Sequence, residues 1–185
     1  DGVYSRTKEI LFKEEGLPEY FNSIALRGNI QNFENKDISL YLGPDFHFVI
    51  YPINQNNEFN FISIIRKELI EDGISNRNLF NDKTFINNLI NQISSKSNLN
   101  LTEIVKEVKC FPIFVSKKIQ IPRNKNIFLI GDAFFSFPPS FAQGASQSIE
   151  SANDLFNDLN NNLSNYYKKR VLKTKQINFR SSINH

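Results

Sequence analysis

The sequence predicts an α+β fold that passes into α/β at its carboxy-terminal end. Three observations carry this. A block of short, alternating, β-branched and aromatic segments fills residues 23–65, and helical stripes follow it. An apolar run then ends in Gly131-Asp132 ahead of a long amphipathic segment.

The elements follow in order. Asp1-Gly2 is a turn signal, and Ser5 to Phe12 reads as a short helix. Ser23–Gln31 and Ile38–Leu42 are the first two candidate strands. In the third, Phe46, Phe48 and Ile50 share one face, with His47, Val49 and Tyr51 on the other. Phe59–Ile65 is the fourth. Gly43-Pro44-Asp45 and Asn54–Asn57 are turns between neighbours, so the block is expected to form an antiparallel sheet.

Lys83–Ser94 places Phe85, Ile86, Leu89, Ile90 and Ile93 on one helical stripe, and Leu101–Val108 repeats the pattern briefly. Phe111–Val115 and Asn126–Ile130 read as strands, the second short and buried. After Pro138-Pro139 a long helix is expected to begin near Ala142. Its Ala145, Ile149, Ala152, Leu155 and Leu159 fall three or four apart. A last helix covers roughly Ser164–Arg180.

Composition narrows the function. The chain has 185 residues and a formal charge of +3, with no basic block carrying interleaved aromatics, so nucleic acid is a poor partner. No apolar stretch is long enough to span a membrane, and no charged-then-apolar signal opens the chain. The single cysteine, Cys110, cannot form an internal disulfide and suits a reducing, cytoplasmic setting, where it reads as a small core side chain. Two histidines and one cysteine give no metal-ligand spacing, and no nucleophile–base pair is visible. The chain lacks methionine and opens on Asp, and no stop signal follows the last helix. It is therefore expected to be a fragment or a processed chain.

The segment richest in chemistry is Gly131-Asp132-Ala133, then Pro138-Pro139, then Gln143-Gly144-Ala145. A carboxylate at a strand's end can accept hydrogen bonds from ligand hydroxyls. Free amides at Gln143, Gly144 and Ala145 can meet a negative group, aided by the helix dipole. Gly144 lets a ring approach the backbone.

This ordered set resembles the flavin-ribityl motif of the flavoprotein aromatic hydroxylases, the family that includes para-hydroxybenzoate and salicylate hydroxylases. The match falls on Gly131, Asp132, Ala133, Pro138, Pro139, Gln143 and Gly144, and extends to Gln147, Ile149, Glu150 and Ala152. Asp1-Gly2-Val3-Tyr4-Ser5-Arg6-Thr7-Lys8 resembles the family's Asp-Gly motif, which lies near the cofactor pyrophosphate and the nicotinamide nucleotide. Phe135 stands where the family usually has His. Ala142 replaces a Gly, Lys8 an Arg and Ser151 an Asp. None of the seven glycines forms G-x-G-x-x-G.

The resemblance implies a flavoprotein hydroxylase fold lacking its amino-terminal βαβ unit. Residues 1–20 and 116–185 would belong to the FAD-binding part, and 21–115 to a β-sheet substrate domain with helices. It implies FAD as cofactor, NADH or NADPH as cosubstrate, and O2 with a small aromatic molecule as substrates. The full-length protein would be a monooxygenase and this chain alone inactive. A same-fold dehydrogenase or halogenase, a membrane-facing quinone hydroxylase, and a non-catalytic remnant stand as alternatives.

The candidate cofactor-binding residues are Gly131, Asp132, Pro138, Pro139, Gln143, Gly144, Ala145, Asp1 and Gly2, with Arg27 on its strand as a further one. His47 reads as a sheet residue and Phe134-Phe135-Ser136-Phe137 as core. No catalytic residue is assigned, because in such enzymes the cofactor carries the chemistry.

Overall fold

The structure, a computed structural model, describes residues 1–54, 57–124, 126–139, 142–159 and 163–183. The centre of the expected turn at 54–57, the spacer between Pro139 and Ala142, and the asparagine run 160–162 lie outside the described residues. The chain divides into two compact units, Asp1–Phe21 with Phe114–His185, and Asn22–Ile113.

The second unit is built on a five-stranded sheet, whose first strand begins and whose last strand ends in residues assigned to the first unit. Its strands are β1 (Pro18–Gln31), β2 (Ser39–Leu42), β3 (Phe46–Pro52), β4 (Glu58–Arg66) and β5 (Val105–Ser116), in spatial order β2-β3-β4-β1-β5. β2 pairs with β3, β3 with β4 and β4 with β1, all antiparallel, in registers such as Tyr41↔Phe48, Phe48↔Ser63 and Leu26↔Ser63. The expected alternation in β3 is what forms. Phe46, Phe48 and Ile50 are buried, while His47, Val49 and Tyr51 are half-buried on the opposite face. With Ile24, Leu26, Phe59, Phe61 and Ile65 they make one core, closed by Ile86, Leu89, Ile90 and Ile93 of α3 (Lys83–Ser97). Asp82 caps α3 by accepting from the Phe85 N–H at 2.7 Å.

The expected helix Leu101–Val108 stops after one turn, α4 (Leu101–Ile104). From Val105 the chain becomes β5, the neighbour of β1 in the sheet. A Cβ on Gly28 of β1 would lie 2.5 Å from the Val105 side chain and 2.9 Å from the Lys106 carbonyl. This close packing against the sheet, and the fit of Val105 and Val108 to a pleated surface, outweigh a short helical pattern.

The first unit opens with α1 (Arg6–Phe12), capped by the Ser5 hydroxyl, which accepts from the Lys8 N–H at 3.1 Å. Its carboxy-terminal part holds a single helical turn, α5 (Gly131–Phe134), then α6 (Gly144–Leu159) and α7 (Leu163–Ile183). Among the described residues there are also, in the second unit, α2 (Glu71–Ser75) and a 3₁₀ turn Leu79–Asn81, and in the first unit a 3₁₀ turn Lys13–Gly16. Leu129, Phe134 and Phe135 form this unit's core with Phe12, Ile119, Phe137, Tyr167 and Val171 around them. The phenylalanine cluster therefore packs inward.

Two expectations fail here. Residues 126–130 are not a strand, and of the expected apolar run only Leu129 is buried. Two of its backbone carbonyls find side-chain donors instead. The Tyr166 hydroxyl donates to the Leu129 carbonyl at 2.8 Å and the Tyr167 hydroxyl to the Ile127 carbonyl at 3.3 Å. The apolar stripe of α6 also lies largely on the open side, with Ile149 at 72% and Leu159 at 49% exposure, while Gln147, Ser151 and Asp158 are buried. Their partners on α7 explain the inversion. Arg170 reaches Gln147, Lys169 reaches Asp158 and Tyr166 bonds Ser151. Buried polar groups are tolerated where they are bonded.

Candidate flavin-ribityl site

A cavity of about 370 Å³ lies in the first unit, lined by Asp1, Gly2 and Thr7, by Phe128–Ala133, and by Ser148 of α6. Both sequence motifs, Asp1-Gly2 and Gly131-Asp132, therefore open onto the same space.

Each wall has a local cause. Gly2 sits at φ +72° and turns the chain so that the Ser5 N–H bonds back to its carbonyl at 3.1 Å. The Asp1 carboxylate accepts from the Ser5 hydroxyl at 3.1 Å and the Thr7 hydroxyl at 2.6 Å. On the other wall Gly131 adopts φ +56°, and a Cβ there would lie 2.6 Å from the Ser148 hydroxyl. Both the dihedral and the space require glycine.

Asp132 follows in the single turn and is half-buried. Among the described residues no group donates to its carboxylate. Burial pushes its carboxyl above the usual aspartate range. A Cβ on Gly144 would stand 3.9 Å from Asp132 Oδ1, so the carboxylate faces the first turn of α6. Within α6 the Gln147 N–H bonds to the Gln143 carbonyl at 2.9 Å. The amides of Gly144, Ala145 and Ser146 precede it, in the turn where helical N–H groups have no intrahelical acceptor.

The remaining candidates are placed less directly. Gln143 is half-buried and Ala145 exposed at the start of α6. Pro138 is buried and Pro139 exposed before it. Arg27 is exposed on β1, opposite Ile62 of β4, in the other unit. Thr7, within the Asp-Gly segment, and Ser148 were not among the candidate residues, and the position of Ser148 depends on contacts that no local pattern announces. Lys8 turns inward rather than toward the cavity. Its Nζ donates to the Ser116 hydroxyl at 3.0 Å and the Phe134 carbonyl at 3.3 Å, and burial lowers its pKa. It ties α1 to the end of the turn that carries Asp132.

The chemistry of this donor set fits a neutral, hydroxyl-rich chain next to a group that gains negative charge. Two carboxylates, one of them without a donor among the described residues, ask for O–H donors. The amide edge of α6 asks for an acceptor.

No family model and no curated protein sequence matches the chain. Solved structures do. The chain is similar to HpxO of Klebsiella pneumoniae, solved with FAD and uric acid, at a TM-score of 0.72 and 14% identity, over 100% of this chain and 49% of that one. It is similar to 2,6-dihydroxypyridine-3-hydroxylase of Arthrobacter nicotinovorans at a TM-score of 0.74 and 16% identity, over 98% and 53%. It is also similar to a salicylate hydroxylase solved with substrate, at 0.74 and 16%, over 100% and 52%. The chain thus has the fold of about half of a flavoprotein aromatic hydroxylase, the fold its motifs predicted. It spans about half the length of the solved chains it matches. Among the described residues no helix is long and apolar enough to cross a membrane.

Proposed function

We propose that the chain carries the flavin-ring and ribityl part of an FAD-dependent monooxygenase, which hydroxylates an aromatic or similar small molecule with NADH or NADPH and O2. The observation that carries this reading is the Asp132 carboxylate. It is half-buried beside the cavity, without a donor among the described residues, and it faces the first turn of α6.

In this reading Asp132 accepts hydrogen bonds from ribityl hydroxyls, and Asp1 and Gly2 lie toward the pyrophosphate. Gly131 holds the turn and keeps the wall clear of a side chain. Gln143, Gly144 and Ala145 present amides to the pyrimidine edge of the ring, and Pro138-Pro139 stiffen the approach to them. When bound, FAD supplies hydride acceptance from the nicotinamide nucleotide and the activation of O2. Residues 1–20 and 116–185 are assigned to cofactor binding. The sheet in 21–115 is assigned to one wall of the substrate cavity, with Arg27 as a polar contact there. Cys110, buried and unpaired, suits a reducing cytoplasmic setting. With no G-x-G-x-x-G in the sequence, the ADP half of the cofactor would be held by other polypeptide, and this chain alone is expected to be inactive.

Titrating the chain with FAD while following its amide resonances tests the reading. Shifts are expected at 131–133 and 144–146, with a Kd weaker than about 1 μM because the pyrophosphate contacts are missing. Asp132→Ala should move the titration to roughly ten- to a hundredfold higher FAD. A chain that stays unperturbed at millimolar FAD, or that binds it with submicromolar affinity, contradicts the proposal.

A further inference from the structure

We propose that Tyr166 is a positioning residue whose single hydroxyl clamps the two walls of the candidate site at a fixed spacing; the inference rests on the flavin reading of that site. Tyr166 lies on α7, outside the cavity, and is fully buried. Its hydroxyl donates to the Leu129 carbonyl at 2.8 Å, two residues before Gly131. The same oxygen lies 2.9 Å from the Ser151 hydroxyl on α6, two turns along from Gly144.

Proton bookkeeping fixes the direction of the second bond. A tyrosine hydroxyl has one proton, and it is given to Leu129. Ser151 must therefore donate to Tyr166. The chain of bonds runs Ser151 O–H to Tyr166 O–H to the Leu129 carbonyl, and it joins the wall bearing Asp132 to the wall bearing the free amides.

The surroundings require such a link. Residues 127–130 have no strand ladder among the described residues, so hydroxyls from α7 fix two of their carbonyls. α6 meets α7 through polar groups, which slide more readily than interlocked apolar side chains unless bonds define their register. Arg170 supports the same end of α6 from behind, donating to the Gln147 side-chain oxygen at 3.1 Å. Beside the direct approach of Ser148 to Gly131, the Tyr166 hydroxyl bonds to both walls.

The test uses the 185-residue chain as wild type, Tyr166→Phe, Ser151→Ala and the double variant. Amide hydrogen exchange, the carbonyl ¹³C resonance of Leu129 and FAD titration are measured on each, with far-ultraviolet circular dichroism to establish folding. Tyr166→Phe keeps the ring and its packing. It is expected to stay folded, to speed exchange at both 129–133 and 144–152 by about tenfold, to move the Leu129 carbonyl resonance, and to weaken FAD binding by about tenfold. Ser151→Ala should affect the α6 wall and leave the Leu129 resonance in place. The double variant should match Tyr166→Phe, because the serine bond passes through the tyrosine hydroxyl.

A folded Tyr166→Phe with unchanged exchange at both walls overturns the proposal. So does exchange that rises uniformly over the whole unit, which would mark a loss of stability alone. If Tyr166→Phe does not fold, Ser151→Ala decides, and unchanged exchange at 144–152 overturns it. If the wild type ignores FAD, the flavin reading fails, while the exchange and carbonyl data still judge the clamp.

Discussion

The Ser148 hydroxyl occupies the place that a side chain at Gly131 would need: a Cβ there would stand 2.6 Å from Ser148 Oγ and 3.0 Å from Ser148 Cβ. The hydroxyl is itself engaged, donating to the Gly144 carbonyl at 2.9 Å. The turn bearing Asp132 and the first turns of α6 are thus in direct contact through a glycine.

Gly131→Ala should therefore destabilise the chain by two separable effects, the positive φ and the contact with Ser148. Together they should cost on the order of 1–3 kcal/mol. Adding Ser148→Gly removes the contact and leaves the dihedral penalty. Urea denaturation of the three variants should show partial rescue in the double variant, beyond the cost of glycine within a helix. Full additivity of the two single losses would show that the contact carries no energy.

Asp132 should set binding and stability in opposite directions. A hydrogen bond to a charged group is worth about 1.5–3 kcal/mol, so Asp132→Ala should weaken flavin binding roughly ten- to a hundredfold in the full protein. Its carboxyl is raised by burial, which means the native state favours the neutral form. That stability is complete below the unfolded aspartate value and is lost as pH rises through the folded one. Asp132→Asn should accordingly raise the melting temperature at neutral pH, with the gain vanishing in acid below the ordinary aspartate range. A gain that persists undiminished in acid would show that its source is not this ionisation.

Gly144 separates the demands of folding from those of the site. An added Cβ would meet Asp132 Oδ1 at 3.9 Å, an ordinary contact, so the helix itself tolerates a side chain there. Gly144→Val should leave circular dichroism unchanged. It should lose flavin, or lower the reduction potential of flavin that stays bound, because the amide edge favours the reduced anion by about 0.3–1 kcal/mol. A folded variant with full flavin and an unshifted potential would refute the assignment of α6.

Cys110 should be inert. It is buried in the sheet core, and burial pushes its thiol up to about 12. Thiol reagents at pH 8 should label it only after denaturant is added. Prompt labelling of the native chain would place it outside the core.

The sheet was legible because alternation with period two is written into consecutive residues, as in Phe46, Phe48 and Ile50. The stripe of α3 was legible for the same reason. What could not be read locally depends on partners far along the chain. The apolar run 127–130 looks like a strand, yet the groups that satisfy Leu129 and Ile127 are hydroxyls 37 and 40 residues away. The orientation of α6 follows from Arg170, Lys169 and Tyr166, which no reading of α6 alone contains. Gly131 and Asp132 were identifiable from their order with Pro138-Pro139 and Gly144. Ser148 and Tyr166 were not, since each matters only through a contact made in three dimensions.

The aromatic cluster behind the cavity gives the chain a built-in optical reporter. The sequence contains no tryptophan, so ultraviolet emission comes from its six tyrosines. Tyr166 and Tyr167 lie with ring centroids 4.9 Å apart, and Tyr167 stacks on Phe128, which lines the cavity. A flavin in that cavity would sit next to these two emitters and accept their excitation energy. Occupancy can therefore be followed by the quenching of light that the unlabelled chain already gives, and changing Tyr167 to Phe would dim the signal.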